Sequence, residues 1–459
     1  MTSMHLNQQS PSHRLLRQPD VLMPIFRLLV EDNLMLPPPP LHPQLVLSRV
    51  SRIWRGVMIT SPAFWNTFTF KATSFRDPGE RINVVKSFIQ RSRTGPLSLS
   101  FETNLLPGQA VAGAVLKDLL FGAGNISIVD ELIIPNVERI IGLKCLLYGT
   151  EISKFLLGIP RGAFRSLINL DLTFLNTYID DRSNYIAPKC YDFHPFENTP
   201  HLDRITCNII DCHINPLDLR FLLSQLTTLH FQAVIMPPEA FLRMMRAGSL
   251  SLVEASFSVE LDSRWLVRHP QQFVAPIIMT SLKELDLHLI DPSWDPLFLL
   301  ILDLPVLEKL CIGEVDNNFP FLRHLQLYAA VALRSAMTLK TLRLTDLEIN
   351  PTTKLPVNAD PGTYLHRSER PKSTSHYDLE QFLQPFPMIQ DLALPLSLYI
   401  HHTTLEKIAM GSLLPLLEKL ELGSYADAST ILILSTVGRR NAAQSAPMHR
   451  IRCRLPFRL

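Results

Sequence analysis

The stretch "LPVLEKLCIG" at residues 304–313 returns almost unchanged as "LPLLEKLELG" at residues 414–423. Both copies carry a six-residue template with an apolar residue at relative positions 1, 4 and 6, starting at Leu307 and at Leu417. Positions 4 and 6 are two residues apart, so their side chains share one face of a β-strand, and position 1 lies in the turn that enters it. The template therefore predicts a short strand with one buried face.

The template recurs through the second two-thirds of the chain. Its nine copies start at Leu167, Leu202, Leu226, Leu252, Leu282, Leu307, Leu339, Ile389 and Leu417, and a fainter copy starts at Val129. From Leu202 to Leu307 the copies are 24, 26, 30 and 25 residues apart, which is enough for one strand and one return segment and is typical of leucine-rich repeats. Position 9 holds neither Asn nor Cys in any copy. We therefore expect an α/β fold with an irregular leucine-rich-repeat solenoid.

Template positions 3, 5 and 7 alternate with the apolar positions, so we expect them to form a polar face away from the core. This face mixes charged and neutral polar residues without an aromatic stripe, which favours protein recognition over nucleic acid binding. The candidate target-binding residues are Asn169, Asp171, Thr173, Arg204, Thr206, Asn208, Glu284, Asp286, His288, Thr341, Arg343 and Thr345.

A compact helical pattern precedes the repeats. Residues 19–30 place Leu22, Ile25, Phe26 and Leu29 at helical spacing, and a second helix follows around residues 46–54, after a proline-rich connector at residues 37–43. "TSPAFW" opens a third short helix, with Pro62 at its first position. Two of the four tryptophans of the chain, Trp54 and Trp65, lie eleven residues apart here. Together with Phe26 they are the predicted core of a small three-helix bundle, which needs large aromatic side chains to bury enough surface.

This segment resembles an F-box. The matching residues are the Ile25–Phe26 pair, "LSRVSRIWRGV" at residues 47–57 and "SPAFWNTFTF" at residues 61–70. The last of these is similar to the segment that follows the box in the F-box family of mushroom-forming fungi, whose members continue with a helix, a "GPLSLSF"-like strand and leucine-rich repeats. The specific motifs cover only residues 19–101, whereas the resemblance in architecture covers nearly the whole chain. In place of the family's opening Leu-Pro pair, this chain has Arg17 and Gln18.

The resemblance implies a role as a non-catalytic substrate-recognition subunit of an SCF-type ubiquitin ligase. The box would dock on the Skp-type adaptor, and through it on a cullin, while the repeats bind an unknown protein substrate. The residues expected to contact the adaptor are Val21, Leu22, Ile25, Leu45, Leu47 and Val50. The alternative is a leucine-rich-repeat scaffold with a degenerate box that binds partners without ubiquitylation. A hydrolase or transferase with an unrecognised site is the third hypothesis.

Composition sets limits on these hypotheses. Lys and Arg number 44 against 42 Asp and Glu, and this balance gives no reason to expect nucleic acid or an anionic membrane as the main partner. Six cysteines without CxxC spacing indicate a reduced, cytoplasmic or nuclear protein. No apolar window is long enough for a membrane span. Phosphate-loop, HExxH and GxSxG motifs are missing from the sequence, so we expect no catalytic residues, cofactor or metal.

The predicted domain organisation follows from these patterns. Residues 1–14 are expected to be disordered, residues 15–70 to form the F-box-like helical domain, and residues 71–128 to supply connecting helices and a capping strand. The solenoid is expected at residues 129–437, with loop inserts at residues 178–200 and 351–377, and a basic segment at residues 438–459.

Overall fold

The computed structural model describes fifteen stretches of the chain: residues 18–30, 34–36, 38, 41–71, 78–102, 129–175, 194–210, 219–260, 275–290, 296–315, 324–349, 356–358, 379–395, 400–423 and 450–454. The prediction of a disordered N-terminus lies outside these residues, as do most of the predicted loop inserts at residues 178–200 and 351–377. Residues 356–358 of the second insert are described and form a short strand where a loop was expected. The chain divides into two compact units, the first made mainly of residues 1–202 and the second mainly of residues 203–459. No helix among the described residues is long and apolar enough to cross a membrane.

The described residues of unit 1 form five strands that pair in chain order, all in parallel. They are β1 (Leu34–Leu36), β2 (Thr67–Lys71), β3 (Leu97–Glu102), β4 (Ile140–Tyr148) and β5 (Asn169–Leu175). The helices between and around them are α1 (Pro19–Leu29), α2 (Pro43–Val50), α3 (Arg52–Thr60), α4 (Pro78–Arg91) and α5 (Gly149–Gly158). A 3-10 turn at Pro62–Trp65 leads into β2. The strands' apolar positions are buried: in β5, Leu170, Leu172 and Phe174 alternate with partly exposed polar residues.

Among its described residues, unit 2 contributes ten strands to a mostly parallel sheet, and two further strands form a separate pair. The parallel strands, in sheet order, are β6 (Arg204–Ile210), β7 (Thr228–Met236), β8 (Glu254–Glu260), β10 (Glu284–Ile290), β12 (Lys309–Val315), β13 (Thr341–Ile349), β15 (Asp391–Leu394), β16 (Lys419–Gly423) and β17 (Arg450–Arg454). The tenth, β14 (Pro356–Asn358), pairs antiparallel with β13. A separate parallel pair joins β9 (Ile277–Ile278) to β11 (Leu302–Asp303).

In the part of unit 2 that the structure describes, there are four α-helices: α6 (Pro238–Ala247), α7 (Leu325–Leu333), α8 (Leu379–Leu383) and α9 (His402–Ala409). Helix α6 begins at a proline and ends before Gly248, and its buried side chains include Phe241, whose ring meets those of Phe257 and Phe298 edge-on. Such contacts cover the core face of the strands, as parallel strands require.

The predicted architecture, a three-helix F-box-like bundle followed by a leucine-rich-repeat solenoid, is wrong. The structure is a large, mostly parallel α/β sheet arrangement that already begins inside the predicted bundle, where β1 and β2 pair in parallel. The template misled because any parallel strand covered by a return segment needs alternate buried residues and an apolar residue at its entry. Leu282, Leu285 and Leu287, for example, are all buried as the template predicts. The pattern specifies the strand and does not specify the architecture.

The predicted second helix is also divided. Helix α2 ends at Val50 and α3 begins at Arg52, with Ser51 between them in an extended conformation. The Ser51 hydroxyl accepts a hydrogen bond from the Trp54 backbone N–H at 3.2 Å, which is the usual role of serine at a helix N-cap.

Candidate functional site: an apolar helical surface and a charged sheet face

The three predicted aromatic core residues hold the N-terminal helices and their neighbours together. The Phe26 ring of α1 is fully buried and meets the Trp54 ring of α3 edge-on, with ring centroids 5.0 Å apart. Trp65 is also buried; its indole N–H donates to the Met58 carbonyl at 2.7 Å, and its ring packs on Phe88 of α4. These contacts fix the positions of α1 and α3 in unit 1.

Exposed apolar side chains are concentrated on the same helices. Of the nine large apolar side chains that are exposed among the described residues of unit 1, seven lie between residues 28 and 59. We call these seven the apolar surface: Leu28, Leu29, Leu41, Val46, Val50, Ile53 and Ile59. Val46 and Val50 are one helical turn apart, so they share a face of α2. This density of exposed apolar side chains within one segment favours a binding surface there, whereas isolated exposed apolar residues are normal.

The six residues predicted to contact the adaptor differ in how deeply they are buried. Leu22 and Leu47 are buried in the core of this chain, and a side chain that is 0% exposed, as Leu22 is, has no surface to offer a partner. Val21, Ile25 and Leu45 are half-buried, and Val50 is 56% exposed. The helical period of residues 22–29 alone did not show which face of α1 packs against the chain's own core and which face is exposed. Leu28, on the exposed stripe of α1, was therefore missed, and the exposed Ile53 of α3 was not in the predicted set either.

The predicted target-binding residues all lie on the polar face of their strands, and none of the twelve is buried. In unit 1, the Lys144 ammonium is 3.6 Å from the Asp171 carboxylate of the neighbouring strand. In unit 2, Glu284 on β10 accepts a hydrogen bond at 2.7 Å from Lys309 on β12, directly opposite in the register. This hydrogen bond raises the pKa of Lys309.

Two groups at the middle of this face have their pKa values changed by burial. Burial lowers the pKa of His288, and the Asp286 carboxylate, 3.6 Å from its Nε2, opposes that change. Burial likewise raises the pKa of the Cys311 thiol to about 12. Both groups are therefore uncharged at neutral pH, and the Cys311 thiol is a poor nucleophile because only the thiolate reacts readily.

Arg343 joins three adjacent strands of unit 2. Its Nη2 donates to both carboxylate oxygens of Asp391 on β15, at 2.9 and 3.2 Å, and its Nη1 is 3.8 Å from Glu421 on β16. Burial lowers the pKa of Arg343, but the Asp391 hydrogen bond and the two negative charges outweigh this and raise it. The guanidinium therefore remains charged; it links β13 to β15 by charge-assisted hydrogen bonds to Asp391 and to β16 by an ion pair with Glu421.

Several charged residues of this face were not among the predicted set. Lys309, Asp391, Lys419 and Glu421 occupy positions 3 or 5 of the copies that start at Leu307, Ile389 and Leu417. The template itself could therefore have found them. Among the described residues, no group of three or more His, Cys, Asp or Glu side chains is arranged to hold a metal ion.

Comparison with protein-family models found no match to this chain, and no curated protein matches it either. The functional argument therefore depends on the residues themselves.

Proposed function

We propose that this chain is a substrate-recognition subunit of an SCF-type ubiquitin ligase, in which the N-terminal helices bind a Skp-type adaptor and the polar sheet face binds a target protein. The observation that carries the proposal is the apolar surface, whose seven exposed side chains lie within the segment that resembles an F-box. Such a surface loses its contact with water when a partner helix packs on it. The chain itself would carry no catalytic residue, because ubiquitin transfer would be performed by other subunits of the complex.

The spacing of the exposed residues favours contact with a helix of the adaptor. Val46 and Val50 are one turn apart on α2, and Ile53 lies in the first turn of α3, three residues later. The i, i+4 pair Val46 and Val50 fits a groove of another helix, and Ile53 follows on α3 after the extended Ser51. Arg27, Arg49, Arg52 and Arg55, all exposed, surround the apolar residues in sequence and favour a partner with acidic residues at the rim of its contact.

The experiment is a binding titration between the purified full chain and a purified fungal Skp-type adaptor. The test variant replaces Val50 and Ile53 by aspartate. These side chains are 56% and 40% exposed, so their burial in an interface contributes about 1 kcal/mol each, and we expect binding to weaken by roughly 30-fold or more. The matched control is Leu157→Asp on α5, because Leu157 is a 60% exposed leucine of unit 1 outside the apolar surface.

The control variant should bind as the wild type does. A wild-type chain that does not bind the adaptor would refute the proposal. Equal binding by the wild type and by the Val50→Asp, Ile53→Asp variant would show that the apolar surface is not the contact.

A second candidate function is a scaffold that binds partners without ubiquitylation. The burial of Leu22 and Leu47 favours it, because two of the six residues that the resemblance assigns to adaptor contact lie inside the chain. Adaptor binding separates the two candidates, since a scaffold would leave the adaptor free. For either candidate we propose a cytoplasmic or nuclear location, supported by Cys145, Cys207 and Cys311, which form no disulfide.

A further inference from the structure

Exposed apolar side chains also occur in unit 2, and most of them lie in the segments that lead into four successive strands. Of the ten large apolar side chains that are exposed among the described residues of unit 2, six precede β8, β10, β12 and β13. We call these six the apolar ridge: Leu250, Ile278, Leu297, Leu300, Leu333 and Met337. The ridge lies outside the segment that resembles an F-box, and none of its residues belongs to the polar face of the strands.

Hydrogen bonds between neighbouring segments place the ridge residues in one row. The Ser281 hydroxyl donates to the Leu250 carbonyl at 2.8 Å, which joins the segment before β8 to the segment before β10. Ile278 pairs with Asp303 where β9 meets β11, which joins the segment before β10 to the segment before β12. Three of the four segments are therefore direct neighbours in chain order.

Arg334 makes the last of these connections. Its guanidinium donates to the carbonyl of Leu300 at 2.8 Å and to that of Leu302, which joins the segment before β12 to the segment before β13. Leu333 precedes Arg334 in the chain, and Met337 follows three residues later. The six exposed side chains thus belong to one continuous row of segments and are not isolated surface residues.

The two ends of the ridge are its most exposed parts. Leu250 is 76% exposed and Met337 is 74% exposed. Each lies two residues before a template copy, and the residues that start those copies, Leu252 and Leu339, are fully buried. The core of these segments is therefore built without Leu250 and Met337, whose apolar surface remains in contact with water. A concentration of such residues favours a surface that binds a partner.

Three exposed arginines that form no ion pair among the described residues accompany the ridge. Arg243 and Arg246 lie on α6, seven and four residues before Leu250. Arg334 lies at the other end of the ridge, where its guanidinium donates to the backbone carbonyls of Leu300 and Leu302. These positive charges are therefore not neutralised by a described carboxylate.

The overall charge of the four segments is also positive. Their described residues, at 237–253, 275–283, 296–308 and 324–340, contain five Lys and Arg against three Asp and Glu. One of the three acids, Glu308, already forms ion pairs with Lys283 and Lys340. The surroundings of the ridge therefore complement a partner with acidic residues at the edge of its contact.

We propose that the apolar ridge binds an amphipathic helix of a partner protein, with acidic residues beside the apolar face of that helix. Neighbouring strands are about 4.8 Å apart, so the three intervals from β8 to β13 span roughly 14 Å. An α-helix rises about 5.4 Å per turn, so about three turns lying across the four segments present roughly one apolar side chain to each. Carboxylates next to this face would meet the arginines near Leu250 and Leu300.

A helix fits the ridge better than an anionic membrane surface does. A planar bilayer would have to cover the surface on both sides of the row, including the half-buried acidic residues Asp303 and Glu308, which its negative headgroups would repel. A helix is only about 10 Å wide and contacts the row alone. This binding does not depend on the proposed function, because it requires neither the adaptor nor the polar face of the strands.

The test is a fluorescence-anisotropy titration of the purified full chain, without any adaptor, using three labelled peptides of about four helical turns. The first peptide has leucine at every third or fourth position and glutamate beside the leucines. The second has the same residues in shuffled order, and the third has lysine in place of glutamate. We expect the first to bind about tenfold or more tightly than either of the others, and its affinity to fall as salt screens the charges.

The test variant is Leu250→Asp, Met337→Asp, in which we expect the affinity for the glutamate peptide to fall roughly 30-fold or more. The matched control, Met410→Asp, Leu416→Asp, adds the same charges at exposed apolar residues of unit 2 outside the ridge and should bind within about twofold of the wild type. If the test variant does not fold, Leu250→Gln, Met337→Gln replaces it, with an expected loss of roughly tenfold.

The variant Arg243→Gln, Arg246→Gln tests the charge of the partner and should bind the glutamate peptide about two- to tenfold more weakly. Equal binding of the glutamate and shuffled peptides overturns the proposal, as does an equal loss in the control variant. Equal or tighter binding of the lysine peptide overturns the acidic character of the partner. Sedimentation with phosphatidylcholine and phosphatidylserine vesicles, without binding to any peptide, overturns the proposal in favour of a membrane. A chain that binds the glutamate peptide but not the adaptor would refute only the proposed function.

Discussion

Replacing Arg343 by methionine removes the charge that joins β13, β15 and β16 while keeping most of the aliphatic volume. The change leaves Asp391 and Glu421, only 15% and 16% exposed, without the guanidinium that holds them. Breaking a fully buried pair costs about 3–5 kcal/mol, and breaking an exposed one costs less than about 1 kcal/mol. Because the Arg343 side chain is itself 38% exposed, solvent screens part of the interaction, and we expect a local loss of about 1–2 kcal/mol.

Hydrogen exchange followed by mass spectrometry measures this loss where it occurs. The backbone amides of β15 and β16 should open roughly 5- to 30-fold more often in Arg343→Met, while those of unit 1 exchange as before. The control is Lys340→Met, because Lys340 forms an exposed ion pair with Glu308 at 2.6 Å, whose loss should cost less than about 0.5 kcal/mol. Unchanged exchange in Arg343→Met, or an equal effect of Lys340→Met, would contradict the claim that Arg343 stabilises β15 and β16.

Three further predictions concern buried groups. Phe26→Ala should reduce the stability of unit 1 by roughly 3–5 kcal/mol, because Phe26 is fully buried, and a clear fall in the thermal unfolding temperature would show it. Cys311 should react with iodoacetamide far more slowly at pH 7.5 in the native chain than in urea, since its pKa is raised to about 12; equal rates would contradict the burial. The pKa of His288 is lowered, so the unfolded chain binds a proton there at a higher pH than the native chain does. The free energy of unfolding therefore decreases as the pH falls below about 6.5. His288→Gln should therefore lose less stability between pH 7 and pH 5 than the wild type in urea titrations, and an unchanged loss would refute this assignment.

The strands were predictable from sequence because their signal is local. In β10, for example, Leu285 and Leu287 alternate with Glu284 and Asp286, and this period of two residues defines both the strand and its buried face. The polar-face residues follow from the same alternation. The way the strands assemble was not predictable, because the spacing of the copies is compatible with more than one arrangement of parallel strands.

The N-terminal segment was harder to predict because its structure depends on non-local contacts. Strand β1 has only three residues, Leu34–Leu36, next to a run of prolines, and it exists through pairing with Thr67–Lys71 more than thirty residues later. The burial of Leu22 also depends on non-local contacts. Helical spacing places it on the apolar side of α1, but the contacts of α1 with the rest of unit 1 decide whether that side chain faces the core. The proposed adaptor contact had to be moved from Leu22 and Leu47 to exposed residues for this reason.

The most direct test of the account is the affinity of the purified full chain for a Skp-type adaptor, measured by calorimetry for the wild type and for the Val50→Asp, Ile53→Asp and Leu157→Asp variants. The account predicts tight binding by the wild type and by Leu157→Asp, a negative heat-capacity change from apolar burial, and a loss of roughly 30-fold or more in the double variant. No heat of binding with the wild-type chain, or the same affinity in all three proteins, would contradict it.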